Sequence, residues 1–262
     1  QDIFANALDN FNKKIWRSPR SPKSYRYNLA IFHDPQEEFP SSDKKALYKF
    51  LEVAKKMNIH AELITEEDAT RLMEFDALFI RSTTALNHIT YNLSQRAKQA
   101  DMVVIDDPLS IIRCTNKVYL NELLKKEKIP APQSMLLFRA NKNSFTAIAR
   151  QLGTPFILKI PDGSFSHDMH KINNEKELNV SLEILFEKSA ILLAQEYIPT
   201  DFDWRIGVLE HKPLFACKYF MAKNHWQIYN HEKQGKGKTG GFETVPIYKV
   251  PKNVIKTALK VT

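Results

Sequence analysis

A chain of 262 residues with a net charge of +8 is long enough for one large domain or two modest ones. Its apolar share of 43% is that of a globular protein, yet no run nears the ~18 consecutive apolar residues of a membrane span, so a transmembrane reading is excluded. Two cysteines, Cys114 and Cys217, exclude a disulfide framework, and without Cys/His clustering around them they also exclude structural zinc; a reducing, cytoplasmic setting follows.

Residues 1–26 read as a basic N-terminal linker. The first dozen mix charged, polar and apolar residues without the apolar core of a secretory signal, and Gln1 in place of Met reads as an internal start. Lys13, Lys14, Arg17, Arg20, Lys23 and Arg26 are then interspersed with Pro19, Pro22 and serines, a solvated connector rather than a nucleic-acid arm. From Tyr27 strand-like and helical patterns alternate. Strands are predicted at 28–33, 59–64, 76–81 and 102–106, with helices at 43–57 and 88–100 between them. That alternation predicts a small parallel α/β domain over 27–114.

The pattern changes at Thr115, which reads as the N-cap of a helix over 116–128 ended by Ile129-Pro130. A second domain over 115–262 is predicted from there. Its first part, 115–194, carries strands at 134–138, 155–160 and 190–195 and helices at 143–152 and 175–188. Its second part, 195–262, carries antiparallel runs at 204–209, 213–220 and 226–229, then a helix opened by Pro251 within which the chain stops.

Charge and glycine are both concentrated late in the chain. The stretch from Lys212 to Lys260 holds ten lysines against Glu232 and Glu243, which accounts for the whole net charge. Such a stretch suits a polyphosphate or polycarboxylate ligand, or is offset by acidic residues elsewhere. It lacks the aromatic and lysine interleaving of a nucleic-acid module, which argues against that partner. Four of the seven glycines fall within Gly235–Gly241, a lysine-bearing loop that either closes over phosphates or forms a hairpin tip.

Two local runs carry candidate chemistry. In KIPDGSFSHDMHK, Lys159 ends a strand and Gly163 and Ser164 follow in a small-residue turn, which is either a phosphate cradle or a structural hairpin. His167 and His170 within it read as surface histidines, and Cys114 as a packed thiol. In QEYIPTDFDWRIGV, Asp203 and Arg205 share one face of an extended segment while Trp204 faces the other, either to grip a ligand or to form an ion pair.

In order and spacing, Thr115-Asn116-Lys117, Lys159 with Gly163-Ser164, Gln195-Glu196-Tyr197-Ile198 and Asp203-Trp204-Arg205 resemble the ATP-grasp superfamily, in particular its RimK-like glutamate ligases beside glutathione synthetases. The resemblance covers about 115–262 and implies an ATP-grasp domain of two α+β subdomains behind a smaller α/β domain. It implies an ATP-dependent ligase that activates a carboxylate as an acyl phosphate for attack by an amine, with ATP and Mg²⁺, an amino acid such as glutamate and a carboxylate acceptor as partners. Lys117 and Lys159 would contact the phosphates. Glu196, Tyr197 and Ile198 would read adenine, Asp203 the ribose, and Arg205 and Lys218 the γ-phosphate and acyl phosphate. Asn230 would lie in the phosphate or metal shell.

Two departures accompany the resemblance. Ser166 and Asp168 stand where the family's phosphate loop has glycines, and Asp168 would put a carboxylate near phosphates. The family's metal ligands fall beyond Thr262, so no metal ligand is named and a chain ending there is expected to be truncated. A catalytically degenerate, nucleotide-binding regulatory protein on the same frame is the alternative, and a homo-oligomer is compatible with either.

Overall fold

A computed structural model describes residues 25–38, 40–141, 144–163, 167–230 and 239–262. They divide into two compact units, the first ending at Thr115 and the second running from Asn116 to Thr262. Ser164, Ser166 and most of the glycine-rich run lie outside the described residues.

The first unit is the expected parallel sheet. Strands β1 (Tyr27–Phe32), β2 (Ile59–Ile64), β3 (Ala77–Ile80) and β4 (Val103–Ile105) line up in the order β2-β1-β3-β4, each pair parallel. Ala30, Ile31 and Phe32 are all buried because β1 is central and covered on both faces, which is why that run reads as continuous rather than alternating. Helix α1 (Lys44–Lys56) starts where Asp43 accepts from the Ala46 N–H at 2.7 Å, and it buries Leu47 and Ala54. Helix α2 (Ile89–Gln99) buries Leu93 and Ala97 against Phe32, Leu78 and Ile80. Each such side chain removed from water stabilises the fold by about 1.5–3 kcal/mol.

Two elements of this unit have no counterpart in the sequence reading. A 3-10 helix over Glu66–Glu74 is opened by a capping box of Thr65 and Asp68 and held by Arg71, which reaches Glu62 and Asp68 at 2.6 Å each. Helix α3 (Pro108–Thr115) follows Asp107, whose carboxylate accepts from the Leu109 and Ser110 N–H groups.

The second unit opens with α4 (Lys117–Lys126). Its cap is Asn116, not the expected Thr115: the Asn116 amide oxygen accepts from both Val118 and Tyr119 N–H at 3.0 Å. Thr115 instead closes α3, its hydroxyl donating to the Ile111 carbonyl. Strands β5 (Ser134–Phe138), β6 (Phe156–Lys159), β7 (Met169–Ile172) and β8 (Ile191–Glu196) form an antiparallel sheet in the order β5-β8-β6-β7. Helices α5 (Phe145–Leu152) and α6 (Glu175–Lys188) cover one face through a core that includes Leu137, Ile148, Phe156, Leu158, Ile172 and Leu178. Gly153 ends α5 at φ +79°, a conformation that side-chain-bearing residues rarely adopt.

A second sheet follows, of β9 (Phe202–Leu209), β10 (Lys212–Phe220) and β11 (Phe242–Val245) in the order β11-β10-β9. Helix α7 (Lys252–Val261) packs on the face that carries Trp204, Ile206, Ala216 and Val245 through Val254 and Ile255. The expected strand over 226–229 does not form; Tyr229 makes only an isolated bridge to Thr239. No helix of the described residues is long and apolar enough to cross a membrane.

Candidate nucleotide cleft

Strand parity sets up the site. In the β5-β8-β6-β7 sheet, Phe156 and Leu158 point to the helices, so Ile157 and Lys159 must point the other way, together with Lys171 and Gln195, the cross-strand partners of Ile157, and, beyond Gln195, Ser134. A polar set on an otherwise apolar sheet thus faces away from the core. The cleft beside it, about 390 Å³, takes Ile157, Met169 and Gln195 from this sheet and Asp203 from the second.

Lys159 anchors this face. Its ammonium donates to Gln195 Oε1 at 2.7 Å, Gln195 Nε2 donates to Ser134 Oγ at 2.8 Å, and Ser134 Oγ donates to the Pro132 carbonyl at 3.1 Å. Burial, and then the nearby Lys117 ammonium, lower the Lys159 pKa to about 8. Lys117 arrives from the start of α4, stitched to the loop after β6. Its N–H donates to the Pro161 carbonyl at 3.0 Å, its ammonium reaches the carbonyls of Pro161 and Gly163, and Asn116 Nδ2 donates to Asp162 at 2.9 Å. Burial lowers the Lys117 pKa and Asp162 partly opposes this. Gly163 sits where an added Cβ would come within 3.0 Å of Ile160 and 3.3 Å of the His167 carbonyl.

Glu196, Tyr197 and Ile198 line the cleft at the end of β8, as does Asp203. The Glu196 carboxylate is turned to its own scaffold, accepting from the Gln133 N–H at 2.7 Å, while its backbone N–H donates to the Gln133 carbonyl. Tyr197 is flanked by the Lys171 ammonium, 3.9 Å from its ring centroid, and by the edge of Trp226 at 6.2 Å. Asp203 accepts from Thr200 Oγ1 at 3.2 Å. Gln195, Lys171 and Trp226 are absent from the sequence-derived site. The signal for the first two is their parity with Lys159, legible only once the register of β6, β7 and β8 is known.

Arg205 and Lys218 do not converge. Arg205 shares its face with Asp203 and stacks on Tyr219, 4.6 Å from the ring centroid. Lys218 pairs with Trp204 in register, lies 5.0 Å and 5.7 Å from the Phe202 and Trp204 ring centroids, and contacts Glu243 at 3.4 Å. It therefore projects from the opposite, α7-bearing face. The cause is a β-bulge between Pro213 and Phe215: pairing begins as Lys212 with Leu209 but continues as Phe215 with Gly207, a one-residue shift that exchanges the two faces of β10.

Of the remaining candidates, Asp168 and His170 are bonded to α6. Asp168, expected near the phosphates, forms an ion pair with Lys188 of α6 at 2.5 Å. His170 bonds Ser181 of the same helix at 2.8 Å, and burial lowers its pKa. Asn230 is buried and partnered. In the first unit Cys114 is exposed, not packed, yet partial burial of the thiol and the charges of Asp106 and Asp107 raise its pKa and disfavour the thiolate. Among the described residues no group of three or more His, Cys, Asp and Glu is placed to hold a metal ion.

No family model matches the chain. A 106-residue stretch is 29% identical to the alpha-aminoadipate–LysW ligase LysX of Saccharolobus solfataricus, covering 40% of this chain and 38% of that protein. A 130-residue stretch is 27% identical to the LysX of Sulfolobus acidocaldarius, covering 48% and 46%. The matched stretches thus span less than half of these curated relatives. Among solved structures, D-alanine–D-alanine ligase from Bacillus anthracis superposes with a TM-score of 0.64 at 15% identity, over 90% of this chain and 77% of that one. The D-cycloserine synthetase DcsG superposes with a TM-score of 0.65 at 16% identity, over 89% and 79%.

Proposed function

Because the chain has the ATP-grasp fold, we propose that it is part of an ATP-dependent carboxylate–amine ligase, RimK-like in adding an amino acid such as glutamate to a carboxylate acceptor. The observation that carries this reading is the pair Lys117 and Lys159. Two ammonium groups from separate elements flank one loop, and among the described residues no carboxylate is ion-paired with Lys159. Two like charges held half-buried side by side are costly unless an anion of high charge density lies between them.

The donor set fits a nucleoside triphosphate. The end of β8 offers backbone groups and the Tyr197 ring for a base, and Asp203 would accept hydroxyl protons; Lys159, bonded to the cleft residue Gln195, and Lys117 beside it would take the polyphosphate. ATP bound there would supply a γ-phosphoryl group to activate a carboxylate, and an attacking amine would then displace phosphate. This chain's own contribution is positioning and charge: the two ammonium groups would hold the phosphates, and the Arg205 guanidinium, over the Tyr219 ring, would donate to a developing oxyanion. The described residues do not form a magnesium site, and no step is assigned to one. The names of the curated relatives, ligases of alpha-aminoadipate, agree with an amino-acid substrate.

The test is ADP and phosphate release by the full-length protein across a panel of carboxylates and amines. Turnover that needs both substrates and disappears in Lys159→Ala supports the assignment, and undiminished turnover in that variant overturns it.

A further inference from the structure

Lys159 is the most deeply placed cation of the cleft face, and its hydrogen-bond partner is an amide where a carboxylate would be the usual choice. The amide's orientation is fixed. Ser134 Oγ gives its proton to the Pro132 carbonyl, so only its lone pairs face Gln195, and they accept from Gln195 Nε2. The Gln195 oxygen is thereby turned toward Lys159 Nζ, at 2.7 Å. The three side chains come from β5, β8 and β6 and share one face: Ser134 stands in register with Gln195, and Lys159 stands diagonally across from it, two residues beyond Ile157, the register partner of Gln195.

From this relay we infer that Gln195, locked by Ser134, is a positioning residue that holds the Lys159 ammonium on the cleft-bearing face of the sheet without neutralising it. A glutamate of the same shape would hold the ammonium equally well but cancel its charge, leaving less for a phosphate; an apolar residue would leave it unheld. The inference rests on the nucleotide-site reading for its purpose, while the positioning itself is a property of the chain alone. It also explains how the Lys159 ammonium can titrate close to physiological pH: burial and Lys117 lower its pKa and no carboxylate pulls it back up.

The whole chain, wild type and as Gln195→Glu, Gln195→Met and Ser134→Ala, would be titrated in two ways. Competitive acetylation of Lys159, read by peptide mass spectrometry from pH 6 to 11, reports the midpoint of its ammonium without any ligand. Calorimetry with ATP at pH 7.5 reports affinity. The wild-type midpoint should lie near 8. In Gln195→Glu it should rise by about one pH unit or more, with ATP binding weakened about tenfold. Ser134→Ala, which frees the amide to turn its NH₂ toward the ammonium, should lower the midpoint and weaken ATP about threefold to tenfold. Gln195→Met should lower the midpoint as well. Variants that lose only thermal stability, with midpoint and affinity unmoved, would show a merely structural role and overturn the inference. Midpoints that move as stated in a wild-type protein that does not bind ATP would uphold the positioning and overturn the proposed function instead.

Discussion

Lys218 lies opposite Trp204 rather than opposite Asp203, and that one-residue difference decides which cations share a surface with the cleft. Without the bulge at Pro213 the hairpin would continue in its initial pairing and bring Lys218 beside Asp203. Arg205 alone of the two expected catalytic cations therefore remains on the cleft face. Arg205→Ala is expected to lower turnover by about 100-fold. Lys218→Ala should leave ATP affinity within about twofold and cost about 1 kcal/mol of stability or less, because it removes a partly exposed ion pair and two cation–π contacts. Steady-state assays and thermal melts of the two variants check this, and matching kinetic losses would contradict the separation of faces.

Charge at Lys159 opposes folding. Its folded-state pKa of about 8 lies below the 10.5 of an unperturbed lysine, so between those values the unfolded chain binds the extra proton. Stability contributed by this group is lowest below pH ~8 and rises toward pH 10.5, while the charge available for phosphates falls over the same range. Lys159→Met should accordingly raise the melting temperature at pH 7 by about 2 °C or more while abolishing detectable ATP binding. Calorimetric melts at pH 7 and pH 10 separate the two effects, since the gain should shrink at the higher pH.

Asp168 is ion-paired with Lys188. The pair is part-exposed, so its loss should cost about 1 kcal/mol or less of stability. The electrostatic effect should be larger at the cleft: Lys188→Ala leaves the carboxylate uncompensated and should weaken ATP binding about threefold at low salt. The double variant Lys188→Ala with Asp168→Asn should restore it. Binding titrations at two ionic strengths test both statements.

Gly207 faces Phe215 directly after the bulge, and a Cβ added there would run into the Phe215 ring. Gly207→Ala should cost about 1–3 kcal/mol, measured by denaturant unfolding, and pairing it with Phe215→Leu should recover most of that loss.

How legible all this was differs by element. The parallel order of the first unit follows from runs such as YNLAIF and ALFI between amphipathic helices, and those runs are unambiguous because both faces of the strands are buried. The strands MHKI and FETV were not legible, since half of each is polar and only pairing with β6 and β10 makes them strands. Lys159 and Asp203 could be singled out from their local runs, and Lys117 through the family resemblance alone. The relay through Gln195 could not, because Ser134 and Lys159 stand 61 and 36 residues from it and only the sheet brings them together. Lys218 was misplaced for a related reason: no hydropathy pattern shows a bulge, although Pro213, lacking an N–H for the ladder, marks where one sits.

The interlock of Gly207 with Phe215 reaches beyond stability. A lineage that acquired a side chain at 207 would have to shrink the ring at 215 or turn it outward, since it already stands 43% exposed, and either adjustment alters the packing beside the bulge that sets the face of Lys218. The two positions should therefore drift as a pair among homologues, and where both have changed the basic residue three positions after the ring should be free to swap sides.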